Sequence, residues 1–345
     1  MRTRIAILGA GAIGSSIGGD LTKAGHDVLL IDQWPAHVEA MKANGLHVSM
    51  PEEELYAPVQ AIHLCDLCTV KGQFDVVLLT AKSYDTCWMV HFIKPYLKRD
   101  GILVSIQNSL NDEWIAPIIG YERDIASVIE LSAKLFEPGR VKRNTGRVRT
   151  WFAVGELHGR VTPRLKDLAE TLKASGTIEV STNIWGAKWT KLVVNSMFMA
   201  LCGILGILDW EISQNPQLFR ICIELGREAW QVGTILGYRL EPIFGLTSED
   251  FLGSNDEVLK KNLMTLLSHI GKEALNCVHQ DHLKGRRSEV DFLNGLVVKK
   301  GQEAKVETPL NQAVTTLSKQ IEQGLLKPNP SNLTILEELA GQMGK

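Results

Sequence analysis

No stretch limits the possible folds of this chain more than Arg4 to Asp32, RIAILGAGAIGSSIGGDLTKAGHDVLLID. A short apolar run rich in strand formers, Ile5 to Leu8, leads into Gly9-x-Gly11-x-x-Gly14. Ala12 to Ala24 then carries a helical pattern, Gly25 is placed to stop it, and Asp27 to Ile31 reads as a second strand that ends on Asp32. Each glycine has a physical task in such a unit. Gly9 allows the tight turn, Gly11 lets the backbone approach a pyrophosphate, and Gly14 lets helix and strand pack closely. The N–H groups at the helix start, those of Ala12 and Ile13 among them, would receive the phosphates. An acidic residue roughly 20 positions on, here Asp32, would hold the adenosine ribose. The pattern predicts a dinucleotide-binding unit; the alternative is a glycine-rich turn in some other α/β domain.

The first half goes on alternating strand and helix patterns. FDVVLLT (Phe74 to Thr80) and GILVSIQN (Gly101 to Asn108) are near-continuous apolar runs, as strands buried on both faces should be. Ile125 to Leu131, Arg147 to Gly155 and Ile178 to Ser181 read as further strands, with EPGRV as a turn. From about Asn183 the patterns are helical: the long apolar NIWGAKWTKLVVNSMFMALCGILG comes first, then 214–237, 255–279, 287–304 and 308–324, with a last short helix after the turn-rich LKPNPSNLT. The expected fold is therefore α/β: a Rossmann-type doubly wound sheet over 1–182, then an all-helical domain over 183–345 that binds substrate and dimerises.

With 345 residues the chain is long enough for two domains. Its net charge of −2 argues against nucleic acid or an anionic membrane as the main partner. No apolar run approaches the ~20 residues of a membrane span, and the first residues run straight into a strand rather than a signal peptide. The six cysteines are too sparse for a disulfide scaffold and read as reduced thiols of a cytoplasmic protein. Cys65-x-x-Cys68 beside His63 is half of a zinc pattern without a second half, and His279 and His282 flank Asp281 at helical spacing. These two histidines read as helix-surface groups, so no metal is expected.

Ligands in open α/β sheets bind beyond the carboxyl ends of the strands. Lys82 and Asn108 stand at two such ends and can reach a cofactor or a substrate carboxylate; the plainer reading is polar loop residues. In the helical half, AKWTKLVVN puts Lys188, Lys191 and Asn195 on one helix face. A solvated helix edge accounts for Lys188. It accounts poorly for Asn195, whose amide sits in an apolar run and needs a partner or a ligand. GRRSEVDFLNG places Glu289 and Asp291 beside two arginines, which alone reads as a charged helix start with surface ion pairs.

Together these motifs resemble the ketopantoate reductases (2-dehydropantoate 2-reductases) over nearly the whole chain. The resemblance rests on Gly9, Gly11 and Gly14, TAK ending at Lys82, QN ending at Asn108, KLVVN from Lys191 to Asn195, and RRSEVDFLNG from Arg286 to Gly295 followed by ETPLN ending at Asn311. It implies a helical domain like the C-terminal part of 6-phosphogluconate dehydrogenase. It also implies hydride transfer between a nicotinamide cofactor and a 2-keto or 2-hydroxy acid, or a related carbonyl or alcohol. In that scheme Lys191 is the general acid/base, Asn195 holds the substrate, and Glu289 binds a distal substrate hydroxyl and orients the lysine. Lys82 and Asn108 would contact both cofactor and substrate. A dehydrogenase oxidising an unrelated hydroxy compound and a non-catalytic NAD-binding protein remain alternatives. Retention of Lys191, Asn195 and Glu289 together weighs against the latter.

The chain also departs from the family pattern. Met199 replaces an asparagine four residues after Asn195, Cys277 replaces a serine twelve residues before Glu289, and Ser109 and Ser288 replace a glycine and a threonine. Met199 and Cys277 make the expected substrate pocket more apolar and put ketopantoate itself in question. The resemblance implies NADP(H), met by a cation after the second strand. Here residues 33 to 36 are Gln, Trp, Pro and Ala, so Asp32 predicts NAD as the preferred cofactor, with NADP possible if Arg4 or another cation from elsewhere serves its phosphate.

Overall fold

The computed structural model describes residues 3–343, and the chain divides after Ile184 into two compact units. Among the described residues of the first, twelve strands form two sheets. The strands are β1 (Arg4–Leu8), β2 (Asp27–Asp32), β3 (Leu46–Ser49), β4 (Glu54–Ala57), β5 (Gln60–His63), β6 (Phe74–Leu79), β7 (Leu97–Ser105), β8 (Asp124–Glu130), β9 (Ala133–Glu137), β10 (Arg140–Arg143), β11 (Trp151–Glu156) and β12 (Thr177–Val180). The larger sheet has the order β12-β11-β8-β7-β6-β1-β2-β5. Its pairings are parallel except β11 on β8. Strand order reverses at β1: the chain moves outward through β2 to β5, then returns to β1's other side as β6. That reversal is the switch point at which such sheets bind ligands.

Alternation along β1 and β2 explains the apolar runs. Ile5, Ile7, Val28 and Leu30 join the core on one face, and Ala6, Leu8, Leu29 and Ile31 join the core on the other. Helices α1 (Ala12–Lys23), α2 (Pro35–Asn44), α3 (Thr86–Ile93), α4 (Asp112–Ile119) and α5 (Pro163–Leu172) lie in the connections.

The smaller sheet, β4-β3-β10-β9, has no counterpart in the strands expected from the sequence. Its members are four or five residues long and half exposed, so their patterns are weak. It is tied to α1 by a fully buried ion pair, Arg143 Nη1 to Asp20 Oδ2 at 2.7 Å, while Arg143 also donates to the Thr145 and Ser175 carbonyls and the Thr150 hydroxyl.

The second unit is helical: α6 (Ile184–Leu205), α7 (Pro216–Ile235), α8 (Asn255–Ile270), α9 (Cys277–Leu283), α10 (Asn294–Ala304), α11 (Pro309–Glu322) and α12 (Asn332–Met343). Two expected helices are shorter than their patterns. The run 255–279 breaks at Gly271, whose φ of +79° ends α8, and restarts where the Asn276 side chain caps α9 by accepting the His279 N–H. The run 287–304 becomes helical only at Asn294, after a single tight turn at Val290–Phe292. No helix among the described residues is long and apolar enough to cross a membrane.

Candidate active site

The first unit gathers the nucleotide-binding candidates at the carboxyl end of its sheet. Gly9 follows β1 with φ +95°, and a Cβ there would lie 2.8 Å from the Ala81 backbone, so only glycine fits the turn. A Cβ on Gly14 would meet the Gly9 carbonyl at 2.4 Å and Thr80 Oγ1 at 2.5 Å, so α1 starts flush against the strands. At Gly11 a Cβ would meet nothing within 4 Å: the backbone faces open space. Gly11 caps α1 without any side-chain hydrogen bond, and the first turn, with Ala12 and Ile13, carries no acidic residue. An open glycine backbone before an uncapped helix start fits a pyrophosphate.

Asp32 ends β2 and is 8% exposed. Its carboxylate accepts the Trp34 N–H at 2.8 Å. Burial pushes this carboxyl up from its ordinary value, opposed by the N–H groups of Trp34, Gln33 and Ala10 and by the nearby His37. Arg4 lies at the other end of β1. It donates to the Lys71 carbonyl and stacks over Phe74 at 5.0 Å, which commits it far from the position of a ribose phosphate. His37, the first basic residue after Asp32, is fully buried and held below its ordinary value by burial. Its ring is committed to Ala10, Ser15 and Gly139. No local pattern marks His37, because its burial comes from elements distant in sequence.

Lys82 and Asn108 are half-buried on the loops after β6 and β7, at the same sheet edge as Gly9. The loops are bolted together: Asn111 Nδ2 donates to the Asn108 carbonyl and the Ser83 hydroxyl, and Gln107 Nε2 donates to the Ala81 carbonyl. The expected strand over 101–108 stops at Ser105, so Asn108 lies within the loop. Ser109 has φ +77°, a left-handed conformation that explains why a glycine is usual there.

In the second unit α6 carries Lys188, Lys191, Asn195 and Met199. Lys188 is 2% exposed, so the solvated edge expected for it is not what forms. Lys191 is 7% exposed, and its ammonium sits 4.6 Å from the centre of the Phe244 ring. This cation–π contact lets a largely buried ammonium keep its place on a mostly apolar helix. Phe244 is a neighbour of Lys191 that the sequence hid. Its φ of +63° is unusual for an aromatic residue, and only the folded backbone reveals it. Asn195 is fully buried.

Met199 and Cys277 meet. The Cys277 thiol donates to Met199 Sδ at 3.8 Å. Gly203, one turn beyond Met199, makes this possible: a Cβ there would lie 3.1 Å from Val278 and His282, so α9 can press against α6. Asp209 secures the same junction, accepting the Asn276 amide at 2.5 Å and the Cys202 thiol. Thus two of the positions that depart from the family pattern, Met199 and Cys277, stand sulfur to sulfur.

Glu289 is 5% exposed before the tight turn at Val290–Phe292. Glu322 accepts both the N–H and the hydroxyl of Ser288 and so fixes the segment from the adjoining helix. The surface ion pairs expected around it involve its neighbours instead: Arg286 with Asp281, and Arg287 and Lys319 with Asp291. Asn294 and Asn311, from the same motif, join a buried network. Asn294 Nδ2 donates to the Ser196 carbonyl and to Asn311 Oδ1, and Asn311 Nδ2 donates to Glu228. These two asparagines brace helices.

His279 and His282 are not surface groups. His279 is 5% exposed, and His282 bonds the Gly203 carbonyl and the Ser318 hydroxyl; burial pulls both below the ordinary imidazole value. Cys65 and Cys68 are exposed free thiols on a tight helical turn, and His63 pairs with Glu39.

Comparison with known proteins bears on both units. The family model described as "Ketopantoate reductase PanE/ApbA" matches residues 5–156, and that for its C-terminal region matches residues 183–322. The chain belongs to the ketopantoate reductase family. It is an oxidoreductase of the class that acts between C–OH and C=O. The 2-dehydropantoate 2-reductase of Pyrococcus horikoshii is 30% identical over 318 residues, 92% of this chain and 96% of that protein. That of Archaeoglobus fulgidus is 30% identical over 326 residues, 93% and 99%. Among solved structures, a PanE/ApbA family ketopantoate reductase from Ralstonia eutropha JMP134 superposes with a TM-score of 0.78 at 26% identity, covering 93% of this chain and 99% of that one. A ternary structure of D-mandelate dehydrogenase with NADH and anilino(oxo)acetate reaches 0.82 at 26% identity, covering 94% and 99%. Similarity thus extends both to enzymes named for ketopantoate and to one named for mandelate.

Proposed function

We propose that this chain is an NAD(H)-linked member of the family that interconverts a 2-keto acid and a 2-hydroxy acid bearing an apolar side chain, in preference to ketopantoate. The contact between Met199 and Cys277 carries the reading. Two sulfurs line a surface where an amide and a hydroxyl would recognise a hydroxylated substrate. A pocket without such groups loses the discrimination that they supply and favours apolar groups. The likeness to D-mandelate dehydrogenase, solved with NADH and anilino(oxo)acetate, supports the same direction.

Residues 9–14 would hold the dinucleotide, with Asp32 on the adenosine ribose and Lys82 and Asn108 contacting cofactor and substrate. A nicotinamide cofactor held there would supply or accept the hydride. Lys191 gives its proton to the carbonyl oxygen as negative charge develops there, and the ammonium stabilises that charge mainly in the transition state. Asn195 donates to the substrate, and Glu289 orients the Lys191 amine. The free cysteines suit a reducing, cytoplasmic setting. The helical unit leaves Ile235, Leu252 and Met264 exposed, which supports pairing with a second copy; light scattering should then give twice the 38.2 kDa chain mass.

The test is a substrate panel read at the nicotinamide absorbance band. Phenylglyoxylate and 2-ketoisocaproate should exceed ketopantoate in kcat/KM by at least ~10-fold. Met199→Asn with Cys277→Ser should narrow or invert that ratio. A wild-type kcat/KM for ketopantoate above ~10⁵ M⁻¹s⁻¹, and above those of the apolar acids, would show the pocket reading to be wrong.

A further inference from the structure

His37 lies on α2, outside the glycine motif, yet it is fully buried and makes a hydrogen bond at each ring nitrogen. Nδ1 lies 2.9 Å from the backbone nitrogen of Gly139, in the turn between β9 and β10. A backbone N–H can only donate, so Nδ1 carries a lone pair and the ring proton resides on Nε2. Nε2 is 2.9 Å from the Ala10 carbonyl and 3.0 Å from Ser15 Oγ. The Ser15 hydroxyl itself donates to the Ala10 carbonyl at 2.7 Å. The ring is thus held in one tautomer, with its donor aimed at the middle of the glycine loop.

That carbonyl belongs to the Ala10–Gly11 peptide. A trans peptide is planar, with C=O and N–H pointing in opposite directions. Holding the Ala10 oxygen toward His37 and Ser15 therefore turns the Gly11 N–H the other way. On the other flank, the Gly9 and Ala10 N–H groups both donate to the Ile31 carbonyl at the end of β2. The loop is fixed from both sides, and open space remains where a Gly11 Cβ would stand.

We propose that His37 is a positioning residue for the cofactor: with Ser15, it fixes the Ala10–Gly11 peptide so that the Gly11 N–H faces the incoming pyrophosphate. The proposal rests on the dinucleotide reading of residues 9–14. It also gives the small sheet a task, because the Gly139 turn fixes the ring's tautomer and so reaches the glycine loop through the imidazole. His37 does not touch the reacting atoms.

The test uses two substitutions that each keep half of the ring's function. In His37→Gln the terminal amide replaces the Nε2 donor to the Ala10 carbonyl. In His37→Asn the shorter side chain can serve only the Gly139 side. By NADH fluorescence titration of the full chain, His37→Asn should raise Kd roughly 5- to 10-fold, the size of one neutral hydrogen bond. His37→Gln should stay within about 3-fold, and Ser15→Ala should raise Kd about 2- to 5-fold. At saturating NADH, kcat should change less than about 2-fold in each. ADP, which has a pyrophosphate, should lose affinity in parallel with NADH, whereas adenosine should not. A merely structural histidine would instead lower thermal stability in both His37 variants and leave the ADP-to-adenosine ratio unchanged. If His37→Asn does not fold, Ser15→Ala and His37→Gln carry the test. Wild-type NADH and ADP affinities in every folded variant would overturn the proposal. Failure of the wild-type chain to bind NADH at all would defeat the dinucleotide reading first, and this proposal with it.

Discussion

Asp32 and Lys191 show how much one side chain can decide. A buried carboxylate at the end of β2 can accept hydrogen bonds from ribose hydroxyls, but it repels a 2′-phosphate. At ~4 Å and an effective dielectric of ~20, one like-charge pair costs about 4 kcal/mol before screening. If a third to a half of that survives, NAD is favoured by roughly 10- to 30-fold. The candidate cations do not offset it, since Arg4 stands at the far end of β1, tied to Lys71 and Phe74, and His37 is buried with both ring nitrogens engaged. Asp32→Asn combined with Gln33→Arg, the latter on an exposed position, is expected to shift preference toward NADP(H). Side-by-side kinetics with both cofactors checks this, and a wild-type kcat/KM higher with NADPH would refute it. For Lys191→Ala the expectation is a kcat lowered by ~10²- to 10⁴-fold, the range for a general acid–base group, with NADH affinity nearly unchanged. Near-normal kcat in that variant would remove Lys191 from the mechanism.

At the scale of elements, the long C-terminal motif separates into parts with different tasks. Glu289 belongs to the proposed chemistry, whereas Asn294 and Asn311 hold helices. Through them α10 and α11 are joined to the Ser196 carbonyl on α6 and to Glu228 on α7. Glu228 also accepts the Leu310 and Asn311 N–H groups at the start of α11, and burial raises its carboxyl above the ordinary value. Asn311→Ala would strip one partner from Glu228 and one from Asn294 inside a buried network. Its expected cost is about 2–3 kcal/mol in urea unfolding, with KM for keto acid and cofactor changed less than about 2-fold. A large change in KM without loss of stability would instead place Asn311 in the binding site.

For the molecule as a whole, stability should depend on pH in part through the buried Asp209 carboxyl. Burial pushes Asp209 from 3.8 up to about 7, against the opposing pull of the Asn276 amide and the Cys202 thiol. The folded chain therefore keeps this proton over a range in which the unfolded chain has lost it. The resulting stability is complete below about pH 4 and declines as pH rises through about 7. Asp209→Asn presents a neutral group throughout. The wild-type thermal midpoint should thus fall more steeply than the variant's between about pH 5 and about pH 8. Parallel profiles would mean that Asp209 does not hold the proton. The same junction sets Cys277 against Met199, so a wild-type preference for apolar acids that weakens over this range would point to the same group.

Local periodicity and short motifs were enough to read part of this protein from its residues alone. The alternating faces of β1 and β2, the glycines at 9, 11 and 14, the Asp32 strand end and the face shared by Lys191 and Asn195 are all set by residues a few positions apart. Other features came into being only when the chain folded. Full burial of Lys188 and His37, the ring of Phe244 beside Lys191, and the contact of Met199 with Cys277 depend on groups distant in sequence. The small sheet was hidden for the same reason, since its strands are too short to show a pattern and are paired by long-range contacts. Periodicity records which face of an element avoids water. It does not record which other element covers that face, and that choice turned a histidine and two sulfurs into candidate parts of a binding site.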